Sequence, residues 1–113
     1  MIPIMKGTLD LLVLKALSWS PMHGVEIITW LENSSEGALE FDDSAVYQAL
    51  YRLEERELVS AEWGVSDHNR RARYYKLTAR GRSSLQKETE RLLQSTRLVE
   101  SILTMAVATR RSR

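Results

Sequence analysis

Apolar residues crowd the stretch from Leu9 to Leu17, where only Asp10 and Lys15 interrupt Leu9, Leu11, Leu12, Val13, Leu14, Ala16 and Leu17. Wound at about 100° per residue, this predicts a helix apolar on nearly every side, capped by Thr8 and stopped near Ser20-Pro21. Such helices are buried. A chain of 113 residues can hardly cover one alone, so part of its surface is expected to meet a second subunit. His23-Gly24 opens a second helix with Gly24, Ile27, Ile28 and Leu31 on one face, closed by the polar run 33–37.

Asp42 and Asp43 supply a cap and first-turn negative charge for a third helix running to about Glu57. Val46, Leu50 and Leu53 recur at four and three, which makes them its buried face and turns Ser44, Gln48, Tyr51, Arg52 and Glu55 outward. Two β-type runs follow, Leu58 to Trp63 and Ala72 to Leu77, separated by the eight residues 64–71, so a hairpin with a long tip is expected. Thr78 then caps a long helix without proline, in which Leu85, Leu92, Val99 and Ala106 repeat every seven residues and Leu103 takes the offset position. This is a packing stripe, and only a weak coiled-coil signal, because Thr89 and Thr96 occupy intervening positions. The predicted organisation is residues 1–77 as one domain, 78–108 as a final helix and 109–113 as a frayed tail.

Net charge changes this picture once it is divided by position. Residues 1–66 carry four Lys/Arg against eleven Asp/Glu, net −7, whereas residues 67–113 carry twelve against four, net +8. A polyanionic partner therefore suits the second half, although two solvated faces of opposite sign would give the same split. The chain has no cysteine, which excludes disulfides, thiolate zinc sites and cysteine nucleophiles and fits a cytoplasmic location. No secretion signal or membrane span is visible, since Asp10 and Lys15 break the first apolar run. His23 and His68 are far apart, with neither metal-ligand spacing nor a phosphate-cradling glycine loop nearby, so no enzyme, metal or cofactor is expected.

Three helices followed by a basic-tipped hairpin is the order of a winged helix-turn-helix, here mainly α with a small β-hairpin and a long C-terminal dimerisation helix. In that arrangement the third helix enters the major groove of double-stranded DNA and the hairpin lies along the backbone. Arg70, Arg71 and Arg73 suit phosphate oxygens because the guanidinium fork donates two parallel hydrogen bonds, and Gln48 and Arg52 can read base edges. Tyr47 and Tyr51 can donate a hydroxyl to phosphate, Tyr47 from the edge of the buried face and Tyr51 from further out. A solubilising loop and an ordinary polar helix face would show many of the same residues.

The chain resembles the PadR-like family of transcriptional regulators over nearly its whole length. The resemblance runs from Gly7-Thr8-Leu9-Asp10-Leu11-Leu12 through Met22-His23-Gly24 and Ala49-Leu50-Tyr51-Arg52-Leu53-Glu54-Glu55-Arg56, then Asn69-Arg70-Arg71-Ala72-Arg73-Tyr74-Tyr75-Lys76-Leu77-Thr78 and Gly81-Arg82. It is most similar to the smaller subfamily with one C-terminal helix. What this implies is a homodimeric repressor that binds a two-fold DNA site and is released by a small-molecule effector. The final helix would pack on the partner's first helix, placing Leu9, Leu12, Val13, Leu85, Leu92, Val99 and Leu103 at the dimer contact and Ser44, Tyr47, Gln48, Tyr51, Arg52, Asn69, Arg70, Arg71 and Arg73 at the DNA.

Three positions depart from the family pattern. The usual Gly-Ser-Leu-Tyr-Pro is Ser44-Ala45-Val46-Tyr47-Gln48 here, which removes the serine contact at Ala45 and leaves Ser44 beside it. Glu57 stands where a glycine usually ends the third helix, so either the turn is rebuilt or stability is given up. Residues 78–113 contain no Phe, Trp or Tyr, with Leu92 about where multidrug-sensing members carry a stacking ring, so a stacked effector is not expected. Trp19, Trp30 and Trp63 are read as core or rim residues. The competing function is a winged helix whose basic wing meets an acidic protein surface.

Overall fold

Residues 1–107, which the computed structural model describes, form in order β1 (Ile2–Pro3), α1 (Lys6–Leu17), β2 (Met22–His23), α2 (Gly24–Ser34), β3 (Leu39–Glu40), α3 (Asp43–Glu55), β4 (Val59–Val65), β5 (Arg71–Leu77) and α4 (Ala79–Leu103). The expected tail 109–113 lies outside the described residues, and the last helix ends at Leu103 rather than at 108.

Helix α1 is apolar all round because it is surrounded: α2, α3, α4 and β5 all pack on it. This corrects the expectation that a second subunit is needed to cover it. Leu9 is 3% exposed and Val13 0%, both inside the chain's own core, so neither can reach a partner, while Leu12 is half-buried. Its start is also corrected. Strand β1 pairs parallel with β3 and keeps the chain extended up to Met5, so the first turn forms at Lys6 without a side-chain cap and Thr8 lies inside the helix.

Helix α2 begins at a capping box: the Glu26 amide donates to His23 Nδ1 (3.3 Å) and the His23 amide to Glu26 Oε1 (3.1 Å). Its face of Gly24, Ile27, Ile28 and Leu31 meets Val46, Ala49, Leu50 and Leu53 of α3 and the buried α1 leucines in one core. Fully burying a leucine or isoleucine in such a core contributes about 1.5–3 kcal/mol.

Helix α3 ends at Glu55, two residues early, in a closure of the kind that a glycine usually completes. The Glu57 amide donates to the Glu54 carbonyl and the Leu58 amide to the Leu53 carbonyl, both at 2.9 Å, with Leu58 buried behind them. That Schellman geometry puts the intervening residue in the left-handed region, and Glu57 adopts it at φ 60°. The turn is therefore kept, not rebuilt.

Strands β2, β5 and β4 form an antiparallel sheet in that order. The hairpin pairs from Val59 opposite Leu77 out to Val65 opposite Arg71. Its long tip is shortened from eight residues to five, 66–70, because both strands extend further than their apolar runs, and Ser66 N–H to the Arg70 carbonyl (2.8 Å) narrows the turn to Asp67-His68-Asn69. A turn closed by Asn69 N–H to the Ser66 carbonyl (2.9 Å) and Asn69 in the left-handed region at φ 57° allow so short a reversal.

Helix α4 is seated by Thr78 and Gly81. The Thr78 hydroxyl donates to the Glu57 carbonyl (2.7 Å) and accepts from the Gly81 amide (2.9 Å), and the Thr78 amide donates to the Leu58 carbonyl (3.1 Å). Gly81 lies so close to that carbonyl that any Cβ would collide with it. Leu85 still packs on the core, but from Glu90 to Val107 every residue is exposed, and α4 projects from a molecule 68 Å long and 29 Å wide.

Candidate nucleic-acid interface

Helix α2 and the β4–β5 wing bound an open groove of about 1230 Å³, with Tyr47 as the one α3 residue at its edge. His23, Trp30, Tyr47, Trp63, Arg71 and Arg73 all face it. Tyr47 is held at its rim because Gly24, lacking a Cβ, lets the phenol ring lie directly on α2. Ser44, Tyr47, Gln48 and Tyr51 are exposed along the outer side of α3, as are Asn69, Arg70 and Arg71 on the wing.

Two arginines are placed differently from expectation. Arg52 does not point outward; it turns back to α1 and makes a two-bonded pair with Asp10, Nε to Oδ2 at 3.1 Å and Nη2 to Oδ1 at 2.6 Å. The Asp10 side chain is only 13% exposed and needs a cation once water is removed from it, which takes Arg52 away from base edges. Arg73 likewise pairs with Glu54 on α3, Nη1 to Oε1 at 3.0 Å and Nη2 to Oε2 at 2.7 Å, and braces the wing against α3. Each guanidinium is held above its ordinary pKa chiefly by these hydrogen bonds, with burial opposing.

The signal for Arg52 lay in the helical wheel, where it falls about 60° from buried Ala49, and in the one acid of an otherwise apolar α1 face. Trp63 was missed as a groove residue. Alternation places it on the same sheet face as Arg71 and Arg73, but that needs the strand register, which the eight residues 64–71 between the apolar runs concealed.

What remains free on α3 and on the wing is sharply divided. The outer side of α3 offers neutral donors and acceptors between exposed Asp42, Asp43 and Glu55. Among the described residues, the unpaired cations of the wing are Arg70, Arg71 and Lys76. On the opposite sheet face Tyr74 covers Gly64 and meets His23 edge-on at 5.3 Å, and burial raises its phenol pKa. No group of metal-ligating side chains occurs among the described residues, and none of their helices is long and apolar enough to cross a membrane.

Three helices, a short antiparallel sheet and a basic wing beside an exposed third helix define a winged-helix transcriptional regulator, not an enzyme. The family model described as transcriptional regulator PadR-like family matches residues 13–87, and the chain belongs to that family. An uncharacterized protein of Lysinibacillus sphaericus is 30% identical over 83 residues, 73% of this chain and 75% of that one. A solved protein of Streptococcus mutans superposes with a TM-score of 0.81 at 21% identity, over 94% of this chain and 95% of its own. A PadR-like transcriptional regulator of Bacillus cereus gives 0.76 at 21% identity, over 89% and 96%. The similarity to these two structures is one of fold.

Proposed function

We propose that the chain is a homodimeric repressor that binds a two-fold site in double-stranded DNA. The observation that carries this reading is the pairing of two surfaces: unpaired Arg70 and Arg71 on the wing, lining the groove that Tyr47 edges, and the exposed, neutral Ser44, Tyr47, Gln48 and Tyr51 along the outer side of α3. Cations on the wing bind phosphate and set position, while amide and hydroxyl groups on α3 discriminate base edges. Asn69 at the wing tip adds an uncharged donor to the backbone contact.

Pairing of two chains is supported by the second half of α4, where Leu92, Val99 and Leu103 are exposed on one side and Ile102 beside them. Leu85 and half-buried Leu12 continue that stripe onto the domain. Occupation of a promoter by such a dimer blocks it, which makes repression the simplest output. A releasing effector would not stack on α4, which carries no aromatic residue from Ala79 to Leu103.

The test is a salt-dependent titration onto duplex DNA containing the promoter of its own operon. Log affinity is expected to fall linearly with log salt, with a slope equivalent to several neutralised phosphates. A dimer should protect two half-sites about 34–36 Å apart. No binding at low salt, with binding to an acidic protein surface instead, would replace this reading by a protein-contact one.

A further inference from the structure

Trp63 has no task in the core or in the contacts described above. It is 57% exposed on a wing strand, and what sets it apart from other exposed apolar residues is the company it keeps. The hairpin register sets Trp63 opposite Arg73 and Val65 opposite Arg71, so all four lie on one face of the sheet, and the two arginines and Trp63 face the groove. The guanidinium carbon of Arg71 sits 4.2 Å from the centre of the indole ring.

This contact consumes only the face of the guanidinium. Its N–H edge makes no ion pair with any carboxylate among the described residues, in contrast to Arg73, whose edge is bonded to Glu54. A long flexible cation is thus held in one orientation by a force that leaves its hydrogen-bonding side open. We infer that Trp63 is a positioning residue for Arg71, holding its edge toward a phosphate of the strand that lies in the groove. The wing arginines therefore divide their work: Arg73 is a strut, and Arg71 is the pre-aimed phosphate donor. The inference rests on the DNA-binding reading above and deepens it.

The experiment measures duplex affinity for the full chain and for Trp63→Ala, Trp63→Phe, Arg71→Ala and the double variant Trp63→Ala with Arg71→Ala, each across a salt series. An exposed contact of this kind corresponds to about a three-fold loss per protomer for Trp63→Ala, or about ten-fold on a two-fold site. Trp63→Phe keeps a ring face and should recover most of the affinity. Trp63→Ala should add no loss once Arg71 is gone, and should leave the salt slope unchanged, whereas Arg71→Ala should lower the slope by about one per protomer.

Equal affinities for the full chain and Trp63→Ala would overturn the inference, and so would an undiminished effect of Trp63→Ala in the Arg71→Ala background. If Trp63→Ala loses its fold, Trp63→Leu serves in both backgrounds, since it fills the strand position without a π face. A full chain that fails to bind at low salt removes the DNA reading and this inference together. Binding with an unaffected Trp63→Ala removes this inference alone.

Discussion

Glu57 carries a side chain at φ 60°, where Cβ crowds the following carbonyl and the cost is about 1 kcal/mol or more. It persists because the two amide bonds that close α3 leave no other path to buried Leu58. Its carboxylate gains little in return, an exposed 3.6 Å pair with Arg80. Glu57→Gly should therefore raise stability by about 0.5–1 kcal/mol, read as a higher midpoint of thermal or urea unfolding, and an unchanged midpoint would show that the strain is relieved elsewhere. Arg52 and Arg73 behave oppositely with respect to change. Because their folded pKa values are raised, the stabilisation held by each guanidinium charge is lost as pH climbs through those values, beyond the range in which the protein is handled, so deprotonation of either arginine is not a pH switch. Of the individual residues, the buried face of α3 was legible from its periodicity, but the partners of Arg52 and Arg73 were not, since pairs 42 and 19 residues apart depend on how elements cross.

Elements join here through backbone as much as through side chains. The seat of α4 consists of Thr78, Gly81 and the Leu58 carbonyl, and Gly81→Ala would push a methyl group into that carbonyl. The expected loss is about 1–3 kcal/mol in unfolding free energy, with α4 displaced and Leu85 withdrawn from the core; wild-type stability would show that the seat can open without penalty. Local pattern anticipated the existence and order of the four helices and the hairpin because each has its own period and punctuation. It misjudged the hairpin tip because Gly64, Val65 and Arg71 continue as paired strand outside the core, where burial no longer imprints alternation. Strand β1 left no mark at all, being two residues long and formed only by pairing with β3.

For the whole molecule, the charge division of −7 and +8 follows the architecture only loosely, because the basic half includes a wing facing the groove and a helix facing away from the core. The apolar all-round α1 suggested a partner that the fold itself makes unnecessary there, and moves the argument for pairing to α4. Val99 is 51% exposed and Leu103 77%, so Val99→Glu with Leu103→Glu should leave the melting of the domain intact while converting a dimer to a monomer in sedimentation, with weaker DNA binding. A dimer that survives both changes would place the contact elsewhere.

The seat of α4 has a mechanical meaning as well. Twenty-five residues of helix make a lever about 37 Å long, clamped at one end by Thr78 and Gly81. A tilt of about 5° at that fulcrum moves the far end by about 3 Å, close to the rise of one base pair. In the proposed dimer the separation of the two copies of α3 is thus geared to a joint that lies outside the groove. If that dimer binds a two-fold site, the preferred half-site spacing would shift with substitutions at this joint while every groove residue stays the same.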